Sequence, residues 1–261
     1  DPDFTNRHQS ADLITMDRLI YTAVSGMSDS MIRQGAIASN LANAQTIGFR
    51  AETFDSTPVN ITSPNSLNAR TMVTTGVMGA DMSAGSIVNT GRDLDIAMQG
   101  DALLAVQADD GSEVYTRRGD LSVSPSGALI NGDGRPVLGS GGPITVPPGS
   151  NISIGPDGSV LVADPASPDT PPQAMDRIKL ASWKGSQIVK DMEGFFRVRD
   201  GGALPQDEEA RVETGALEQS NVDITNILVE MVQAQRLFDM RTKVVATAKE
   251  LDEGGATLMR I

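Results

Sequence analysis

The residues of this chain best suited to chemistry are carboxylates. Asp93 with Asp95, or Asp101 with Asp109, could form the acid and base pair that glycoside hydrolysis requires. Among 34 acidic residues, however, such neighbours arise by chance. There is no cysteine, which removes thiolate nucleophiles, disulfides and zinc–sulfur sites. The single histidine, His8, precedes Met16-Asp17-Arg18-Leu19, which reads as the natural start. Residues 1–15 then read as an expression remnant or upstream extension, and a nucleophilic triad lacks its base. Asn131-Gly132-Asp133-Gly134 and Asp109-Asp110-Gly111 lack the alternating acidic ligands and distal Glu of a calcium loop and read as turns. Ser182-Trp183-Lys184-Gly185 does not match a serine–lysine hydrolase, and Trp183 reads as core or interface. The chain is expected to carry no catalytic residue, no metal and no cofactor.

Composition narrows the partners. A net charge of −13 opposes contact with nucleic acid, which needs concentrated Lys and Arg, and with anionic membrane surfaces. No run approaches the roughly 18 apolar residues of a membrane helix, so no direct membrane insertion is expected. The first fifteen residues lack the apolar core of a secretory signal. Aromatic residues make up only 3%, whereas 26 Gly and 14 Pro call for many turns.

The elements that must position everything else lie at the two ends. Ile20, Val24, Met27, Met31, Ala38 and Leu41 recur at helical steps, as do Ile224, Ile227, Leu228, Met231, Ala234, Phe238 and Val245. Gly26, Gly35 and Gln34 weaken the first helix. The second runs unbroken to about Leu251, roughly 45 Å of rod, and Ser220 with Asp223 reads as its capping box. Residues 51–85 carry no firm period and read as an extended polar arm. Between 86 and 214 short strands alternate with turns, and Val123–Leu129 resembles Ile154–Val160, as if one hairpin were used twice. The expected fold is α+β: N- and C-terminal helices pairing as a coiled-coil-like bundle, with a mainly antiparallel β-rich central domain. The expected parts are 16–50, 51–85, 86–214 and 215–261. An assembly interface is expected at Ile20, Val24, Met27, Met31, Leu41, Ile224, Ile227, Leu228, Met231, Phe238 and Val245.

Three stretches resemble the bacterial flagellar axial proteins, the rod and hook family. Ser39-Asn40-Leu41-Ala42-Asn43-Ala44-Gln45-Thr46-Ile47-Gly48-Phe49-Arg50 is similar to its N-terminal signature. Thr90–Ala97 through Val106, then Tyr115-Thr116-Arg117-Arg118-Gly119, is similar to its central segment. Gly215-Ala216-Leu217-Glu218-Gln219-Ser220-Asn221-Val222-Asp223 and Glu230–Phe238 resemble its C-terminal signature. Within the family the opening and Leu104–Gln107 look most like the proximal-rod type, with the distal-rod type as runner-up. Ala102-Leu103-Leu104, where distal-rod and hook members usually carry Gly-Phe-Phe, favours the former.

The resemblance implies a non-enzymatic subunit of the basal-body rod in the periplasm. It implies export without a cleaved signal through the flagellar type III apparatus, and helical assembly through the terminal helices into part of the drive shaft and export channel. The implied partners are other copies of itself, neighbouring rod proteins (proximal rod below, distal rod above) and the export apparatus. In the signatures, Gly48 could take φ > 0 to turn the chain out of the helix, Asn40 and Asn43 could bond backbone where it ends, and Phe49 could anchor the exit. Two other readings stay open on the residues: a carbohydrate-active hydrolase on a β-scaffold with Trp183 as stacking platform, and a binding module with an internal coiled coil.

Overall fold

A run of apolar residues at successive strand positions needs cover on both faces, and Ala102–Val106 within the strand Ala102–Gln107 is such a run, buried throughout. In the computed structural model it lies inside a five-stranded antiparallel sheet, ordered Leu180–Ser182, Ala102–Gln107, Glu113–Thr116, Phe196–Val198, Ile188–Lys190. Its side chains alternate between two cores. Leu104 and Val106 join Ile96, Met98, Leu121, Leu129, Ile144, Val160 and Ile178 on one face. Leu103 and Ala105 join Tyr115, Leu138, Phe196 and Leu204 on the other. The structure describes residues 24–61, 70–164, 170–191 and 193–258.

The described residues divide into two compact units. One gathers 42–51 and 79–223 and holds both cores; the other gathers 24–41, 52–61 with 70–78, and 224–258.

In the β-rich unit one turn recurs. At 108–112, 124–128, 131–135, 155–159 and 191–195 the first residue donates its N–H to the fifth carbonyl, and the fourth donates to the first. The fourth residue is always glycine, with φ of 77–90°. This is the three-residue hairpin with a left-handed closing residue. The likeness of Val123–Leu129 to Ile154–Val160 is therefore one of geometry, and three more turns share it. Asn131 is buried, its Oδ1 accepting from the N–H groups of Asp133 and Arg135 at 3.1 and 2.9 Å, so this segment is a turn. The stretch around Ile178 belongs to two strands: Gln173–Arg177 pairs with Ser159–Ala163, and Leu180–Ser182 pairs with Ala102–Gln107. The chain changes sheets at Ile178, which is buried in the first core.

The other unit holds a helix over residues 24–42 (α1), a second helix Ile224–Leu258 (α2), and the strands Glu52–Ile61 and Arg70–Ala80, paired as a ribbon. The expectation of a coiled-coil-like bundle is overturned here, although the α+β class stands. The helices meet through polar and small groups: Gln34 Nε2 donates to Ala234 O at 3.4 Å, and Arg241 donates to Gly26 O and Ser30 Oγ and lies 3.8 Å from Asp29. Of the expected seam, Val24, Met31, Ile224, Leu228 and Met231 are 42–62% exposed. Ala38 is exposed, Met27, Leu41, Phe238 and Val245 are half-buried, and only Ile227 and Ala234 are buried. Ile20 lies outside the described residues. Apolar residues occupy more than one flank of α2, so spacing did not single out the covered one. Small residues at 26 and 30 leave room for a guanidinium where a knob was expected.

Tyr115 illustrates how tightly the second core is closed. Its hydroxyl donates to Glu113 at 2.6 Å and accepts from the Leu204 N–H at 2.5 Å, while Lys179 lies 2.7 Å from Glu113. Burial, then the Glu113 bond, pushes the phenol far above its ordinary value of 10.0. The raised value stabilises the folded state fully below pH about 10, and that contribution is lost progressively as pH rises further. Unfolding free energies measured at rising alkaline pH are expected to fall more steeply for the parent than for Tyr115→Phe. Parallel slopes would contradict this account of Tyr115.

Candidate assembly determinants

Among the described residues, Glu218 is a buried carboxylate that faces two buried guanidiniums, Arg50 and Arg117. It sits on the strand Ala216–Glu218, which pairs with Ile87–Asn89. Arg50 Nη2 donates to Oε1 at 2.6 Å, and the Gly85 N–H donates to the same oxygen at 2.8 Å. Arg117 donates to Oε2 through Nε at 2.8 Å, with Nη2 2.6 Å away. The remaining Arg117 donors reach the carbonyls of Met98, Gly100 and Ala102 at 2.6–2.8 Å. Burial draws the Arg117 guanidinium below the usual arginine range, against the opposing pull of Glu218. The cluster therefore joins residues 168 and 101 positions apart in sequence.

The backbone around it is equally constrained. The Gly48 N–H donates to Glu218 O at 2.7 Å, and Gly48 has φ of 67°. A Cβ there would stand 2.3 Å from the Arg117 carbonyl carbon, so both conformation and space require glycine. Phe49 lies under Lys190, whose Nζ is 3.5 Å from the ring centroid and donates to Arg50 O at 3.0 Å. Thr46 bonds Asn43 through backbone and side chain, at 3.0 and 3.1 Å. Asn221 accepts from the Ala51 N–H at 2.7 Å and donates to Asp81 O and Ser83 O at 2.8 and 3.0 Å. One amide thus ties three stretches of the β-rich unit. In the other unit, Asn40 accepts from the Glu52 N–H at 2.7 Å and donates to Glu52 O at 3.1 Å.

Leu217 is buried beside Glu218, and Val222 is half-buried. The expected capping box is not formed. Ser220 Oγ accepts from the Val222 N–H at 3.2 Å, and α2 starts at Ile224, which makes Asp223 the residue at its threshold. Sequence reasoning singled out Arg50, Glu218 and Asn221 as signature positions and placed Arg117 in the central segment, but did not foresee that Arg117 pairs with Glu218. An arginine inside a strand-ending run, Tyr115-Thr116-Arg117, was the available sign, since such a charge is buried only when paired.

The carboxylate pairs are not assembled for hydrolysis. Asp101 and Asp109 flank the strand Ala102–Gln107, which holds them about 20 Å apart, beyond the reach of a glycosidic pair. Asp101 pairs with Lys184 at 2.6 Å, and Asp109 with Arg135. Asp95 is buried and accepts from Thr90 Oγ1 at 2.7 Å, whereas Asp93 is exposed. Trp183 packs against the second core. Among the described residues, no group of three or more His, Cys, Asp or Glu could hold a metal ion. No helix among them is long and apolar enough to cross a membrane.

Three family models match the chain in order. They are the flagella basal body rod protein model over residues 20–50, the flagellar hook protein FlgE/F/G D1 domain over 97–162, and the flagellar basal body rod FlgEFG protein C-terminal model over 213–258. The chain is 41% identical to the flagellar basal-body rod protein FlgF of Salmonella typhimurium, covering 92% of this chain and 97% of that one. It is 40% identical to FlgF of Escherichia coli, covering 90% and 95%. Against the rod protein FlgG of Bacillus subtilis the identity is 29%, covering 90% and 97%. The chain belongs to the flagellar basal-body rod protein family. Of these relatives it is more similar to the FlgF proteins than to FlgG.

Removing one partner from a buried ion cluster costs about 3–5 kcal/mol, because the other charges stay buried without it. Glu218→Ala is expected to lower stability by that order, read from the urea midpoint of the parent and the variant. A loss under about 1 kcal/mol, the range of an exposed pair, would contradict the geometry described.

Proposed function

We infer that this chain is a structural subunit of the bacterial flagellar basal-body rod, of the FlgF type. It works by being built into the rod alongside other rod proteins. The observation that carries the assembly mechanism is the exposure of large apolar side chains along both helices: Val24 and Met31 on α1, and Ile224, Leu228, Met231 and Met240 on α2. Exposed apolar side chains recurring along two helices favour contact with another surface. A head-to-tail contact of this kind, repeated with a screw operation, generates a tube instead of a closed ring.

In this reading the segments 16–50 and 215–261 make the contacts between subunits and line the channel, while 86–214 forms the outer body and 51–85 an arm. Copies of itself, proximal rod proteins below and distal rod proteins above are the neighbours, and the flagellar export apparatus delivers the chain. No catalytic step is assigned to it. The signature cluster around Glu218 supports this as the part that sets the chain path, separate from the side chains that touch neighbours.

Met231→Asp introduces a charge at an exposed position, so it leaves the β-rich unit intact while opposing burial by a neighbour. In cells lacking the native gene, the variant is expected to be made and folded but absent from purified basal bodies. Normal incorporation and motility would count against the proposed contact surface.

A further inference from the structure

With no cysteine in the chain, its oxidisable sulfur resides entirely in 12 methionines. Three of them, Met31, Met231 and Met240, stand on α1 and α2 among the exposed apolar side chains, at 62, 42 and 58% exposure. Met98, in the first core, is 1% exposed. We propose that Met31, Met231 and Met240 are sites of reversible oxidation by peroxide, and that their sulfoxides block entry of the free subunit into the rod. This rests on the contact surface proposed above and adds to it a chemical control.

The chemistry needs only the oxidant. A thioether lone pair attacks one peroxide oxygen and the O–O bond breaks. The sulfur loses two electrons and keeps that oxygen, and the other oxygen leaves as water after proton transfer. The product is a polar, strongly accepting group on what was an apolar, pliable side chain. Covering it without a donor leaves a buried acceptor unsatisfied, the same penalty that opposes burial of any polar group. Thioethers accessible in the free subunit react; once a neighbour covers them they are shielded, so the sensitive species is the unassembled chain. Met175, 52% exposed on the strand Gln173–Arg177, reacts as well but lies away from the helices in sequence and unit, and serves as internal control.

The test uses the full chain. It is treated with hydrogen peroxide, mapped by peptide mass spectrometry for added oxygen, and then offered to an assembly reaction with its rod partners. Met31, Met231, Met240 and Met175 are expected to gain oxygen before Met98, and the oxidised chain to lose incorporation. Methionine sulfoxide reductase should restore it. A combined Met31→Leu, Met231→Leu, Met240→Leu chain should incorporate before and after peroxide, because leucine keeps the apolar volume without the sulfur, while Met175→Leu should protect nothing. Full incorporation of an oxidised parent overturns the inference, and so does peroxide sensitivity of the combined variant. Should Met231→Asp also incorporate normally, the contact surface itself is wrong; should Met231→Asp be excluded while the oxidised parent enters, only the oxidation control fails.

Discussion

Everything in the β-rich unit that concerns the chain ends is arranged around one buried carboxylate. Glu218 accepts from Arg50 and the Gly85 N–H at Oε1 and from Arg117 at Oε2, so both of its oxygens are bonded. Taking such a cluster out of water yields little net stability, because desolvation offsets most of the attraction. What the cluster contributes is geometry. Only one path of the N-terminal segment puts Arg50 within reach, and that path forces Gly48 against the Arg117 backbone in a left-handed conformation. The stretches 43–50, 115–119 and 216–221 are far apart in sequence, and each is incomplete without the others.

This arrangement separates two jobs that are usually mixed. The cores on either face of Ala102–Gln107 are closed by their own side chains, as in any independent domain. The helices instead bond each other through Gln34 and Arg241, bury Ile37 and Ile227, and leave several other large apolar side chains exposed. A protein that folds alone rarely exposes so many. For a member of a rod family the pattern is coherent with the proposed function: a β-rich unit with two closed cores, and described helices that carry exposed apolar side chains.

Much of this was legible from the residues, and the misses have physical causes. Strict turn chemistry made the hairpins readable, since Asp-Gly and Ser-Gly at fixed offsets leave few alternatives. The strand Ala102–Gln107 is legible in the same way, because a continuous apolar run is hard to place elsewhere. The sheet change at Ile178 was invisible, since period-two alternation continues across it. The coiled-coil pairing was wrongly expected for a related reason: α2 is apolar on several flanks, and α1 meets it with the small pair Gly26 and Ser30 against Arg241. The signature stretches were located, Arg117 among them, but not the pairing of Arg117 with Glu218, because a long-range ion pair leaves no local periodicity.

The central claim is that the N- and C-terminal signatures are energetically coupled through Glu218. A double-mutant cycle tests it directly: Arg50→Met, Glu218→Gln and the double variant, each unfolded in urea. Residues in one buried network couple by about 0.5–3 kcal/mol, and the geometry here predicts a value in the upper half of that range. Strictly additive losses, with no coupling outside experimental error, would show that the two signatures are held independently and would contradict the account.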